Sequence, residues 1–407
     1  MYQLLKGMRI VEGASFIAAP SCGLHLLQLG AEVIRFDAIG GGPDFHRWPR
    51  AGGGASFYWE GLNKGKKSIA IDLSRPEGRE LAVRLATAPG RNAGIFLSNY
   101  PASGFLAHER LTVRRADMIT VRVMGWTDGA TAVDYTINCA VGIPAMTGPA
   151  SLDDDPVNHV LAAWDLLAGA TAAYALLAAE RYRRETGTGQ EVRIPLSDVA
   201  MATLGDLGQI AEVSTTGTDR PRVGNELYGA FGRDFTTADG ARVMIVAITP
   251  RQWTGLLKAL DLEQAVRALE AELAVSFAHD EGLRFEHRGR LFPLVERAVG
   301  QRMLPDLTRA FDAHEVCWAP YRTVKQALAS DRRFSPENPI FAEVDHPSGH
   351  RYLTPGSPVS FTASDRAPPP RAPRLGEHTD EVLADVLGLP ACEIGRLHDL
   401  GLVAGVS

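Results

Sequence analysis

The sequence predicts an α/β protein with a doubly wound parallel sheet in a large domain and a second, smaller α+β domain. Three observations predict it. Short apolar runs alternate with helical ones through the N-terminal half. That repetition is the pattern of strands joined by crossover helices. The hairpin signal Ala238-Asp239-Gly240, between two strand-like runs, falls instead in the second half, which separates an antiparallel unit from the parallel one. At about 150 residues per domain, 407 residues leave room for two or three cores.

The elements follow in order. Met8–Val11 reads as a strand, Pro20–Leu29 as a helix with Pro in its first turn and Gly30 at its end, and Ala31–Phe36 as the next strand. Ser68–Leu73 is a strand. Ser74 then reads as the N-cap of a helix that opens with Pro76 and Glu77 and runs to about Thr87. Ala93–Leu97 and Met118–Val123 are strands, with a helix around His108–Arg115 between them. After Thr188-Gly189-Gln190, Glu191–Pro195 is a strand and Asp198–Glu212 a helix. Ser214–Asn225 is rich in Thr, Gly and Arg and reads as a linker. Arg233–Thr237 and Arg242–Ile248 form the hairpin, helices continue to about Ala329, and Ala367–Pro373 is a Pro-rich spacer before a last helix at Glu377–Leu387. The expected domains are 1–213 (the N-terminal part of the large domain), a linker 214–225, a small domain 226–328, and 329–407 as a linker and C-terminal segment.

Composition narrows the function. Hydrophobic residues at 45% and charged residues at 22% exclude a disordered or fibrous chain. A net charge of −6 gives no basic surface for nucleic acid. The chain has only six Lys, and Lys64, Lys66 and Lys67 fall within four positions. The four Cys form no CxxC, and the N-terminus has no basic segment followed by an apolar one, so the expected compartment is the reducing cytoplasm. Gly40–Gly42 and Gly52–Gly54 do not make GxGxxG between a strand and a helix. GxxxxGK[ST], HExxH and GxSxG are also absent, which argues against nicotinamide, P-loop, zinc-protease and α/β-hydrolase chemistry.

Leu161–Ala179 (LAAWDLLAGATAAYALLAA) carries a single charge, Asp165. Its length suits a membrane span. Its Ala content, its carboxylate and its continuation into Glu180–Glu185 (ERYRRE) favour a helix buried in a protein core, with Gly187 as C-cap. An ionised Asp in apolar surroundings is costly unless it is paired or placed for chemistry. Two readings stand: an N-terminal-turn Asp that satisfies backbone donors, or a catalytic base or nucleophile.

Leu5–Asp37, Leu62–Ala86 (LNKGKKSIAIDLSRPEGRELAVRLA), Ser98–Pro101 (SNYP), Gly187–Ala200 (GTGQEVRIPLSDVA) and Arg374–Leu383 (RLGEHTDEVL) together resemble the class III CoA transferases. The match runs in order over most of the chain. It implies a Rossmann-like large domain, to which the C-terminal segment returns, and interlocked homodimers. It also implies that Asp165 is the nucleophile that forms a covalent aspartyl–CoA intermediate. That scheme needs no metal and no permanently bound cofactor; coenzyme A enters as part of the substrate, and the partners are an acyl-CoA thioester and a dicarboxylate, with no membrane.

The resemblance also implies CoA contacts at Phe16, Ile17 and Ala18 after the first strand, at Asp72, Leu73, Asn99 and Tyr100, and at Met124 and Gly125. A family Arg after the second strand corresponds to Ala38, and a family Lys to Met124-Gly125. Arg47, Lys64, Lys66 and Lys67 are the candidate substitutes as phosphate ligands. Gly224-Asn225 and the loop to Gly232 correspond to a mobile active-site loop or to a plain linker. Related racemases on this fold use a His-Asp pair. Asp134 is retained here, but Val133 stands where the His would be, which favours transfer over racemisation. Six further segments, among them Gly40–Pro49, Val157–Asp165, Gly224–Phe235 and Arg351–Ala363, resemble the subgroup that shifts CoA between C1 and C4 of mesaconyl-CoA. Such an enzyme must retain a freed dicarboxylate in a closed pocket. His159, Asn158, Tyr135 and Asn138 are either its polar anchors or structural residues.

Overall fold

The apolar runs of the N-terminal half pair in parallel, as their alternation with helices requires. The computed structural model describes residues 1–406. Strands β1 (Arg9–Gly13), β2 (Glu32–Ala38), β3 (Lys67–Ile71), β4 (Ile95–Ser98), β5 (Ile119–Met124) and β6 (Glu191–Pro195) lie in the order β3-β2-β1-β4-β5-β6. All five pairings are parallel. A short C-terminal strand, Val403–Ala404, joins the edge antiparallel to β3, so the sheet is mixed.

The helices of this half are α1 (Ala18–Gln28), α2 (Phe57–Asn63), α3 (Pro76–Ala86), α4 (His108–Arg114), α5 (Asp134–Ala140), α6 (Ile143–Met146), α7 (Ala163–Thr186), α8 (Leu196–Asp206) and α9 (Gln209–Thr216). Two differ from expectation. Arg75, not Ser74, is the N-cap of α3, because the amide and hydroxyl of Ser74 both turn back to Asp72 Oδ1. The expected helix over 198–212 breaks into α8 and α9 at Gly208, whose φ of +76 lies in the left-handed region that glycine adopts freely.

α7 ends at Gly187 (φ +76) as expected, and its amide returns to the Arg183 carbonyl. The expectation that α7 is buried in a core needs correction. Ala168, Gly169, Ala172 and Leu176 are buried, whereas Leu167 and Tyr174 are 40% and 65% exposed. One face packs on α1 and on β5 and β6; the other is open in the single chain. Gly169 makes the packing possible: a Cβ there would lie 1.9 Å from Ser21 Oγ and 2.7 Å from the Ala18 carbonyl. Asp165 sits one turn before Gly169 on the same helical face, so this close approach sets it beside the start of α1.

A core on the sheet joins Val11, Ile34, Phe36, Ile69 and Ile71 to Leu81 and Leu85 of α3 and to Val382, Leu383, Ile394 and Leu397 from the chain's last part. The last helix expected at 377–387 is Thr379–Asp385; a second helix, Ala391–Asp399, and the edge strand complete the closure. Each fully buried aliphatic side chain of this kind contributes about 1.5–3 kcal/mol.

Two units result. The first comprises Met1–Val141, His159–Ser214 and the chain from Asp331. The second comprises Gly142–Asn158 and Thr215–Ser330. Residues 142–158 therefore group with the second unit and not with 1–213, because the Arg222 guanidinium donates to the carbonyls of Ala145 (2.7 Å) and Asp155 (2.6 Å). In that unit β7 (Phe231–Thr236) and β8 (Arg242–Ala247) form the antiparallel hairpin around Asp239-Gly240. β9 (Cys317–Pro320) adds to β8, and Phe231, Phe235, Trp253, Phe292 and Phe311 fill the core. In the first unit β10 (Phe341–Asp345) and β11 (Arg351–Pro355) form a further hairpin. Neither β9 nor this hairpin is expected from the sequence. Among the described residues no helix is long and apolar enough to cross a membrane.

Gly169→Val forces α7 off α1. The expected loss is about 2–3 kcal/mol of stability, read as a shift of the denaturant midpoint; an unchanged midpoint would mean the contact is dispensable.

Candidate active site

The strand order reverses between β1 and β4, and ligands of doubly wound sheets bind at the carboxyl ends of the strands at such a switch point. Here the crevice is built from the backbone outward. Asn99, after β4, clamps the loop after β1: its Oδ1 accepts the Ser15 amide (3.1 Å) and its Nδ2 donates to the Ser15 carbonyl (2.8 Å). The next residue, Phe16, has φ +68, a conformation that costs a non-glycine residue about 1 kcal/mol or more. Its amide donates to Asp44 Oδ2 (3.2 Å).

Asp44 is held in turn by Arg35. This guanidinium is 1% exposed and reaches Asp37 (2.8 and 2.9 Å), Asp44 (2.9 and 3.1 Å) and Asn63 Oδ1 (3.3 Å). Glu12 lies 3.7 Å away and is bonded by Lys66 Nζ at 2.8 and 2.9 Å. Burial pushes the Glu12 carboxyl upward, and Lys66 and Arg35 oppose that shift.

Asp165 lies in the first turn of α7. Its pKa is pushed up to about 7, first by burial and then by the charge of Asp134, with Arg47 acting in the opposite direction. Asp134, the first residue of α5, supplies the cap that α7 lacks locally. Its Oδ2 accepts the amides of Trp164 (2.7 Å) and Asp165 (3.1 Å), and its Oδ1 lies 2.8 Å from His159 Nε2. The Trp164 indole donates to Asn138 Oδ1 (3.0 Å), and Tyr135 packs edge-on against the His159 ring at 6.0 Å. The imidazole beside Asp134 thus comes from His159, 25 positions along the chain, and not from position 133.

Arg47 stands over two rings, 5.5 Å from the Phe16 centroid and 5.2 Å from that of Tyr58. Tyr58, in the first turn of α2, has a buried hydroxyl without a hydrogen-bond partner. Burial raises its pKa, so it remains a donor.

The other residues singled out from the sequence divide. Ile17 is the N-cap of α1 and Ala18 its first residue, next to Phe16. Tyr100 follows Asn99; burial raises its hydroxyl to about 12, and its ring meets Phe36 at 6.4 Å. Asp72 and Leu73 follow β3, where Leu73 packs on the sheet core. Met124 closes β5, and Gly125 lets residues 130–132 approach, since a Cβ there would lie 2.5 Å from the Ala132 amide.

The lysine reading needs correction. Lys66 is buried and its three bonds go to both oxygens of Glu12 and to the Pro20 carbonyl. Lys67 is paired with Glu32 (2.8 Å) and Glu381 (2.7 Å). Both sit at the amino end of β3, whereas the crevice is at the carboxyl ends. Lys64 is buried, which lowers its pKa to about 8. Asp44 and Tyr58 escaped the sequence reading; no motif marks them, and only the folded loop between β2 and β3 brings them to Phe16.

The geometry thus defines a doubly wound α/β enzyme with a part-buried carboxyl in the first turn of α7. A family model for CoA-transferase family III matches residues 5–379, and the chain belongs to that family. It is 53% identical to the 2-methylfumaryl-CoA isomerase of Chloroflexus aurantiacus over 100% of this chain and 99% of that protein. It is 30% identical to the succinyl-CoA–D-citramalate CoA-transferase of the same organism, covering 97% of this chain and 96% of the other. A CaiB/BaiF family protein from Brucella suis has the same fold, with TM-score 0.77 at 24% identity over 95% of this chain and 100% of that one.

A carboxyl raised from 3.8 to about 7 binds its proton more tightly folded than unfolded, so its ionisation lowers stability as pH rises through that window and the full penalty is present above it. Asp165→Asn removes the penalty. The variant should be more stable than the parent by about 1–2 kcal/mol at pH 8 and equal to it near pH 4; denaturant titrations at the two pH values check this.

Proposed function

We propose that this enzyme moves CoA between the two carboxylates of one C5 dicarboxylate, interconverting the 1- and 4-thioesters of 2-methylfumarate (mesaconate) through a covalent Asp165 intermediate. The observation that carries the reading is Asp165 itself: a part-buried carboxyl poised near neutrality, set at a helix N-terminus in the switch-point crevice. The full-length identity to a 2-methylfumaryl-CoA isomerase supports the substrate.

The ionised Asp165 attacks the thioester carbonyl. The C–S bond breaks, which leaves a mixed anhydride and CoA thiolate. The thiolate attacks the Asp165 carbonyl, so the acid departs as a carboxylate and an aspartyl–CoA thioester remains. The second carboxylate of the same acid then attacks that thioester and expels the thiolate. Attack of the thiolate on the acyl carbonyl of the new anhydride forms the isomeric thioester and frees Asp165. Two easier exchanges replace one hard one. Developing oxyanions would be met by the first amides of α1 at Ile17–Ala19, which have no intrahelical partner. The CoA chain would run along Phe16–Ala18, Asn99–Tyr100 and Asp72–Leu73.

Hydroxylamine added during turnover should place a hydroxamate on Asp165, visible by peptide mass spectrometry. Turnover with an unmodified Asp165 would reject the covalent path. With labelled free mesaconate present, the intramolecular route predicts an unlabelled product; label entering at the turnover rate would favour transfer between separate acyl-CoA and carboxylate molecules.

The open side of α7–α9 supports a homodimer, the interlocked form that the family resemblance implies. Leu167, Tyr174, Met201, Leu207, Ile210 and Val213 are each at least 40% exposed in the single chain, a patch of the kind that marks an interface. Light scattering should give twice the 43.9 kDa chain mass; a single-chain mass would reject the dimer.

A further inference from the structure

We propose that Arg47 and Tyr58 form the seat for the free carboxylate of the substrate, the one not joined to CoA, and so hold the dicarboxylate in place between the two transfers. The proposal rests on the transferase reading and adds to it the groups that select a dicarboxylate.

Arg47 makes no ion pair among the described residues, and Asp44, its nearest acid along the chain, is already bonded to Arg35 and the Phe16 amide. Its guanidinium is nonetheless fixed, because it lies over the rings of Phe16 and Tyr58 at 5.5 and 5.2 Å. Stacking of this kind orients the planar fork and leaves its N–H edge for a carboxylate. The Tyr58 hydroxyl is the second donor, buried and without a partner. A buried donor left unsatisfied costs about 1–3 kcal/mol, which an incoming acceptor recovers. The charge of Arg47 acts on Asp165 and that of Asp165 on Tyr58, so the stacked pair shares the electrostatic surroundings of the attacking group. An acid with carboxylates at each end of a four-carbon chain can present one end to Asp165 and the other to this seat. Release of the first carboxylate then exchanges the two ends without the acid leaving.

The test compares mesaconyl-C1-CoA with 2-methylcrotonyl-CoA, in which a methyl replaces the distal carboxylate. The readout for both is the rate of Asp165 hydroxamate formation. Arg47→Gln should lower kcat/KM for mesaconyl-C1-CoA about 100-fold and that for 2-methylcrotonyl-CoA less than about 3-fold, as loss of a charged hydrogen bond predicts. Tyr58→Phe should give a smaller selective loss, about 10-fold. Any change that Arg47→Gln makes in Asp165 ionisation is common to both thioesters and cancels in their ratio. The variant should also let labelled free mesaconate enter the product. Equal losses with the two thioesters would overturn the proposal. So would a loss that disappears with mesaconyl-pantetheine, which lacks the CoA phosphates; that result would make Arg47 a phosphate ligand. Absence of the hydroxamate in the parent enzyme would instead remove the transferase reading, and this proposal with it.

Discussion

The buried guanidinium of Arg35 is the constraint on which the crevice depends. It rises from β2 and binds Asp37 on its own strand, Asp44 in the following loop and Asn63 of α2, with Glu12 of β1 close by. Glu12 passes the connection to Lys66 just before β3. Burying two cations and three carboxylates is expensive, and only near-complete mutual bonding offsets it. Removing one member of such a set leaves an uncompensated charge, at a cost of about 3–5 kcal/mol. The loop between β2 and β3 therefore has one favourable position, and Asp44 carries that position to the Phe16 amide.

The same logic of distant partners governs Asp165. The N-cap residue of its helix, Ala162, has no side-chain acceptor. Asp134 fills the vacancy from α5, bonds the amides of Trp164 and Asp165, and is itself held by His159. One carboxylate thus orients another while its charge disfavours that neighbour's ionisation. The helix terminus and Arg47 act the other way. A carboxyl near neutral pKa emerges from this opposition, which suits the nucleophilic role proposed for it: basic enough to attack, yet ionised in a useful fraction near neutral pH.

Local signals carried the parallel strands, the stop at Gly187 and the hairpin at Asp239-Gly240, because each rests on apolar runs or on glycine's access to positive φ. The strand at Cys317–Pro320 and the hairpin of Phe341–Asp345 with Arg351–Pro355 were not legible. None of the side chains in the first two strands is fully buried and the third buries only the polar Thr354, so no apolar run marks them. Ser74 looked like a cap because it precedes Pro76, yet the nearer acceptor Asp72 competes successfully for its hydrogen bonds. The lysine cluster was visible as a cluster but not in its role, since partners such as Glu381 lie hundreds of positions away.

The sequence by itself determined the class of fold, the order of the strands along the chain and the one conspicuous carboxylate, Asp165, since apolar periodicity and an isolated charge are properties of neighbouring residues. Only the tertiary structure decided what surrounds that carboxylate. Asp134, Phe16 and the pair Arg47 and Tyr58 come from three separate stretches of the chain, and ion pairing, ring stacking and helix capping depend on distances that sequence separation does not encode. It also decided which cations are spent on holding the sheet together, and it leaves Arg47 without an ion pair among the described residues, stacked on Phe16 and Tyr58.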